Sequence, residues 1–204
     1  MTCAADVSPD WAAVVSELIQ ARQTVLPKRL AEPGPDAGQT QSILAAAAAA
    51  PDHGQLLPWR FILVPAGQRA TLADVFAQAL SERDPQAAPE QLAQAREKAF
   101  RAPLLMLAVV DGARGDPEVD LNERILSAGC AVQNLLLVAT AQGFGSALTS
   151  GKALKSDALR TCFGLGADEQ ALCFISIGTV ASRKPARSRP SVADYVSALG
   201  SDAA

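Results

Sequence analysis

Apolar positions along this chain follow two periods. Trp11, Val14, Val15, Leu18 and Ile19 fall on one helical stripe behind Asp10 and predict a helix from Asp10 to about Ala21. Residues 22–36 hold three prolines and a glycine, which predicts a loop. A second helix is expected from about Ala37 to Ala49, where the alanine run has the highest helix propensity, and Pro51 stops it. Residues 51–59 then read as a loop and Arg60–Val64 as a short strand. Helices follow at about 67–81 and 89–101, divided by Asp84-Pro85. The apolar run from Pro103 to Val110 has the pattern of a central strand buried on both faces. The longest helix is expected to start at Asp116 or Pro117 and reach about Ala141. A strand at Ser146–Thr149, a helix at 154–163 and a last strand at Gln170–Gly178 complete the series. A basic tail follows from Ala181, with a final short helix from Val192. Strands and helices alternate without a regular βαβ rhythm, so residues 1–204 read as one α+β domain, a sheet packed by helices.

Composition changes this picture in one respect. Of the 204 residues, 49% are apolar, only 4% are aromatic, and about one in five is alanine. Small side chains let helices approach closely but bury little area each, so the core is expected to be completed by a partner chain. The stretch Ile125–Gly151 carries no charge, yet it contains Gln133, Asn134, Gln142 and a Gly143-Phe-Gly145 break. It reads as a buried helix followed by a strand, and no membrane span is expected. The net charge is −3 and no basic stretch interleaves with aromatics, so nucleic acid is not an expected partner. Cys3, Cys130, Cys162 and Cys173 are widely spaced, as expected of reduced thiols in a cytoplasmic protein. The N-terminal residues have neither a basic region nor a long apolar run, so no signal peptide is expected.

His53 is the only histidine. A histidine-based metal site and a Ser-His-Asp triad both lack the residues they need, and no G-x-S-x-G elbow is present. No metal site is expected, and any catalysis is expected to run on a cofactor. Arg22-Gln23-Thr24, directly behind the first helix, forms either a clamp for a phosphate or polar ring, or an ordinary polar helix end. The loop Ala50–Arg60 holds His53, Trp59 and two prolines. It suits the edge of a planar ligand, and equally a histidine satisfied by backbone. Gly143-Phe-Gly145 and Gly164-Leu-Gly166 follow helices and precede strands, the reverse of the dinucleotide fingerprint, and read as helix-ending turns. Arg187-Ser188-Arg189-Pro190 either binds a phosphate or solvates the tail.

Taken in order, several stretches resemble the nitroreductase family of FMN-dependent oxidoreductases. They are Arg22-Gln-Thr24, Arg29-Leu-Ala-Glu-Pro33, the block Ala50-Pro-Asp-His53 with Pro58-Trp-Arg-Phe61, and Lys98-Ala-Phe-Arg-Ala-Pro103. Ser127–Val132, Ala141–Gly145, Thr149-Ser-Gly151 and Ile177-Gly-Thr179 continue the series. The resemblance implies an α+β fold assembled as an intertwined homodimer, with FMN at the subunit interface and the uncharged helix buried there. It further implies two-electron, ping-pong reduction of nitroaromatics, quinones or related small acceptors by NADH or NADPH. The rival expectation is a non-catalytic flavoprotein that stores FMN or senses redox state.

The resemblance assigns cofactor contacts residue by residue. Arg22, Gln23 and Thr24 match the loop that contacts FMN, and His53 matches a flavin-contacting histidine. Leu57 stands where family members carry a glutamine that reaches the flavin of the other subunit. Thr149, Ser150 and Gly151 match an Arg-Ser-Gly segment near the phosphate, with Thr149 in place of the arginine. Arg187 and Arg189 resemble the basic tail residues of more distant members and are expected to replace that charge. Ala139, Thr140, Ala141, Gln142, Gly143 and Phe144 match a stretch associated with nicotinamide binding. No catalytic side chain is expected, because the hydride chemistry belongs to the flavin.

Overall fold

A computed structural model describes residues 10–185 and 188–200. The elements, in order, are α1 (Trp11–Ala21), β1 (Leu30–Ala31), α2 (Ala37–Ala45), β2 (Trp59–Leu63), α3 (Arg69–Arg83) and α4 (Pro89–Glu97). They continue with β3 (Leu104–Asp111), α5 (Leu121–Ala141), β4 (Gly145–Thr149), α6 (Asp157–Cys162) and β5 (Glu169–Val180). The five strands form one sheet of order β1-β5-β3-β2, with β4 also paired to β5. Every strand pairing is antiparallel. This is an α+β fold, as the order of elements predicts.

Strand β3 explains the two-layered core. Its side chains alternate, so Met106 and Ala108 enter one cluster while Leu105, Leu107 and Val109 enter the other. The first cluster joins the sheet to Ile43 near the end of α2 and to Ala128, Ala131, Leu135 and Ala139 of α5. The second joins it to Leu72, Ala73 and Val75 of α3 and Leu159 of α6. Helix α5 is long and apolar enough to cross a bilayer by length and composition, but 44% of its most apolar window is buried in the protein. Its alanines lie against the sheet, and Trp59 Nε1 donates to Ser127 Oγ at 3.0 Å to fix its height. This is the buried helix and following strand expected of the uncharged stretch.

Several boundaries differ from the sequence reading. The proline-rich loop after α1 contains a short 3₁₀ turn at Pro27–Arg29 and the two-residue strand β1, paired to the extended end of β5. Helix α5 starts at Leu121, not at Asp116 or Pro117. Asp120 caps it through the Asn122 amide. The preceding residues are instead wound around Arg124, whose buried guanidinium donates to the carbonyls of Arg114, Asp116 and Val119. Among the described residues, the tail forms a 3₁₀ turn at Val192–Asp194 in place of the expected helix.

Among the described residues, helix α1 meets α5, but none of its apolar stripe is buried. Trp11 is 66% exposed, and Val14, Val15 and Ile19 are also exposed. Leu126 of α5 is 69% exposed, and Ile125 beside it also reaches the surface.

Candidate functional site

The loop Arg22-Gln23-Thr24 leaves the end of α1 and is stitched to the start of β4. Thr24 bridges to Ser146, and the Val25 amide donates to the Ser146 carbonyl at 2.8 Å. Gly145 permits that approach, because a Cβ there would stand 2.7 Å from Val180 Cγ2 and 3.1 Å from Val25 Cβ. A cleft of about 580 Å³ opens at this loop. Arg22, Gln23 and Thr24 line it, and the tail crosses beside them, with Arg189 Nη2 donating to the Arg22 carbonyl at 2.9 Å. The structure therefore brings Arg189 to Arg22. Arg187 lies outside the described residues. The sequence reading missed Arg29, Arg183 and Lys184, which also line the cleft. Their signal was present in the basic tail and in the Arg29–Pro33 block. Among the described residues, the lining has five cationic side chains and no carboxylate.

His53 and Leu57 stand elsewhere. Their loop is a 3₁₀ turn at His53–Gln55 followed by strand β2. Gly54, Gln55 and Leu57 all have positive φ, and the Asp52 carboxylate accepts the Leu57 amide at 2.6 Å to hold the bend. The loop abuts the first turn of α5, where His53 Nδ1 meets Glu123 Oε2 at 2.7 Å. Hydrogen bonding and charge from Glu123 raise the His53 pKa above its ordinary value, and Asp116 and Asp52 add to the effect. Sequence reasoning missed Glu123, since nothing in a chain signals a pairing across 70 residues.

Helix α5 separates the two groups. The Arg22 loop lies beside the strand that follows its C-terminal end, and His53 lies at its N-terminal end. At 1.5 Å per residue the helix spans about 30 Å. Within one chain, His53 and Arg22 do not share a site.

The other predicted residues lie at intermediate places. Thr149 ends β4, Ser150 and Gly151 are exposed, and Gly151 precedes the 3₁₀ turn Lys152–Lys155. The resemblance places this segment near the phosphate, but it does not line the Arg22 cleft. It stands three residues along an extended strand from Ser146, roughly 10 Å away. The 139–144 segment forms the end of α5 and its turn. Gly143 takes φ +86, as a helix-ending glycine does, and the Phe144 amide donates to the Ala139 carbonyl at 2.9 Å. Ala139 is fully buried in the core, Thr140 Oγ1 donates to the Leu136 carbonyl, and Ala141 and Gly143 are exposed. Gln142 Oε1 and Ser146 Oγ are buried without a hydrogen-bond partner among the described residues.

No metal-binding group of three or more His, Cys, Asp or Glu side chains occurs among the described residues. Cys130, Cys162 and Cys173 are free thiols, and burial pushes Cys173 up to about 11.

Comparison with known proteins adds a relationship to this geometry. The sequence matches the family described as Nitroreductase family over residues 19–179. It is 38% identical over 155 residues to a candidate NAD(P)H nitroreductase of Haemophilus influenzae, covering 74% of this chain and 82% of that one. The fold superposes on a nitroreductase-like family protein from Bacillus cereus with a TM-score of 0.78 at 16% identity, covering 98% of this chain and 100% of that one. It also superposes on a variant of an FMN- and NADPH-dependent nitroreductase from Sphigopyxis sp. strain HMH, with a TM-score of 0.70 at 18% identity, covering 91% and 98%.

Proposed function

The chain belongs to the nitroreductase family, and from that premise we propose that it is an FMN-dependent oxidoreductase working as a homodimer. In this reading it carries two electrons from NADH or NADPH to nitroaromatics, quinones or related small acceptors. The observation that carries the reading is the acid-free cationic cleft at Arg22, Gln23, Thr24 and Arg189. Its volume falls within the ~300–1,000 Å³ typical of small-molecule sites. Its donor set fits a phosphorylated flavin, because guanidinium and ammonium groups offer charge-assisted bonds to phosphate oxygens with no opposing carboxylate. FMN, when bound, supplies the hydride chemistry, in a ping-pong sequence of reduction by nicotinamide and reoxidation by the acceptor.

The residues divide the remaining work. Arg22 and Arg189 neutralise the phosphate, and Gln23 and Thr24 orient the chain beside β4. Thr149 ends β4, with Ser150 and Gly151 behind it, at a distance suited to the other end of an extended cofactor. The 139–144 turn offers Ala141 and Gly143 to nicotinamide. His53 and Leu57 reach the flavin from the partner subunit, since within one chain they lie at the end of α5 opposite the Arg22 loop. Leu57 replaces an amide contact with an apolar one. The exposed stripe of α1 and the exposed Ile125 and Leu126 of α5 are the surface that a second copy would cover. A cytoplasmic location accords with the free thiols.

An absorbance spectrum followed by anaerobic titration with NADH and NADPH tests this. A yellow protein bleached by either nicotinamide is the expected result. A yellow protein that neither bleaches would indicate a non-catalytic FMN-binding role. A colourless protein that takes up no added FMN would overturn the flavin reading.

A further inference from the structure

Glu123 belongs to none of the groups assigned above, yet its carboxylate meets the ring of His53, the only histidine of the sequence. The pair is well exposed, with 68% of the His53 side chain and 50% of the Glu123 side chain accessible. Exposed ion pairs contribute little to stability, so the contact is not explained as a fold-holding interaction. The loop around it is nonetheless constrained. Asp52 is bonded to the Leu57 amide, and the backbone is left-handed at Gly54, Gln55 and Leu57. Arg124, next to Glu123 in sequence, donates instead to three backbone carbonyls and is buried away from the pair. The charged groups acting on His53 are Glu123, Asp116 and Asp52, all acidic. With Nδ1 committed to Glu123, Nε2 is the nitrogen left to act outward, and no described residue bonds it.

We propose that Glu123 is a positioning residue for the cofactor: it accepts the Nδ1–H of His53 and fixes the ring so that Nε2–H is donated to the anionic flavin nucleotide. The inference rests on the reading that His53 contacts FMN, and adds the group that sets its charge. A carboxylate that accepts from one ring nitrogen in this way is a general device for orienting an imidazole. Its consequence is a pH-dependent grip. The raised His53 pKa means that the imidazolium is present at low pH and is lost as pH rises through that raised value.

The test uses the full-length protein and the variants Glu123→Gln, His53→Gln and the double variant. Because His53 is the only histidine, its imidazole signals in an NMR pH titration need no assignment. The wild-type signal is expected to titrate above 6.5, the ordinary value, and Glu123→Gln is expected to lower it. FMN binding is expected to be roughly tenfold weaker in Glu123→Gln just above neutral pH. The difference should shrink under acid conditions, where both imidazoles are charged. In the His53→Gln background the Glu123 substitution should change FMN affinity little, because its effect runs through the ring. An unmoved His53 titration, or an equal loss of affinity in the His53→Gln background, would overturn the inference. Wild-type protein that binds FMN, with Glu123→Gln binding as tightly across the pH range, would overturn it alone. Wild-type protein that binds no FMN would overturn both this inference and the flavin reading.

Discussion

Leu57 shows how a single residue can be held against its own preference. Its φ of +50 lies in the left-handed region, which costs a β-carbon-bearing residue about 1–2 kcal/mol. The Asp52 carboxylate on its amide holds it there, and its side chain is left 45% exposed. Strain of this kind persists where a loop must present a side chain in one place. Leu57→Gly should relieve it and raise stability by about 0.5–1 kcal/mol after the greater chain entropy of glycine is counted, read as the urea midpoint. The same variant should hold FMN less well if Leu57 covers the flavin. Arg189→Ala should lower FMN retention through a desalting column, and unchanged retention would remove Arg189 from the phosphate site. His53→Ala should likewise weaken FMN binding more than it slows hydride transfer in the surviving holoenzyme, measured by stopped-flow bleaching at saturating FMN.

At the scale of elements, two arginines hold the sheet and its helices in register. Arg124 fixes the segment before α5 by satisfying three carbonyls from a position 1% exposed. Arg124→Ala leaves those carbonyls without their donor and should cost roughly 2–4 kcal/mol of unfolding free energy in urea. The starting turn of α5 should loosen with it, and with that turn the His53–Glu123 contact. Arg60 reaches across β3 from β2 to grip Glu169 of β5 with two nitrogens, at 2.6 and 2.9 Å. That grip, with the Gly166 amide, holds the Glu169 carboxyl below its usual value despite partial burial. A carboxylate lowered in this way stabilises the fold above its unfolded value near 4.5, and the gain is lost as pH falls through the folded value. The melting temperature of Glu169→Gln should therefore fall less steeply than that of wild type as pH drops from about 5 to 3.

At the scale of the molecule, the described residues leave an apolar surface exposed. Helix α1 has no buried residue, yet Trp11, Val14, Val15 and Ile19 line one of its faces. Exposed apolar patches of this kind mark surfaces of association. A two-fold pairing through α1 and α5 that set the His53 loop of one subunit over the Arg22 cleft of the other would complete the proposed site. Leu126→Asp should give a monomer by sedimentation velocity, and that monomer should lose FMN although no cleft residue has changed. A Leu126→Asp dimer with full flavin content would remove α5 from the interface.

Much of this protein was determined by local sequence. The elements follow from periodicity and punctuation: Asp84-Pro85 ends α3, Pro51 follows the 3₁₀ turn Ala46–Ala49 into which α2 tightens after Ala45, and the apolar run at 103–110 became the central strand because every position there is acceptable inside. The candidate residues could also be named, since Arg22-Gln-Thr24 and the Ala50–Phe61 block are short contiguous signals. What only the tertiary structure decided is which of them meet. Helix α5, about 30 Å long, sends His53 and Arg22 to opposite ends, and antiparallel pairing of β4 with β5 carries Thr149 away from the cleft. It also decided that α5 begins only at Leu121, because a buried Arg124 draws the preceding carbonyls toward itself. It paired Glu123 with His53 and laid Arg189 across Arg22. These are contacts between residues far apart in the chain, set by how helices and strands pack, and local propensity has no means of recording them.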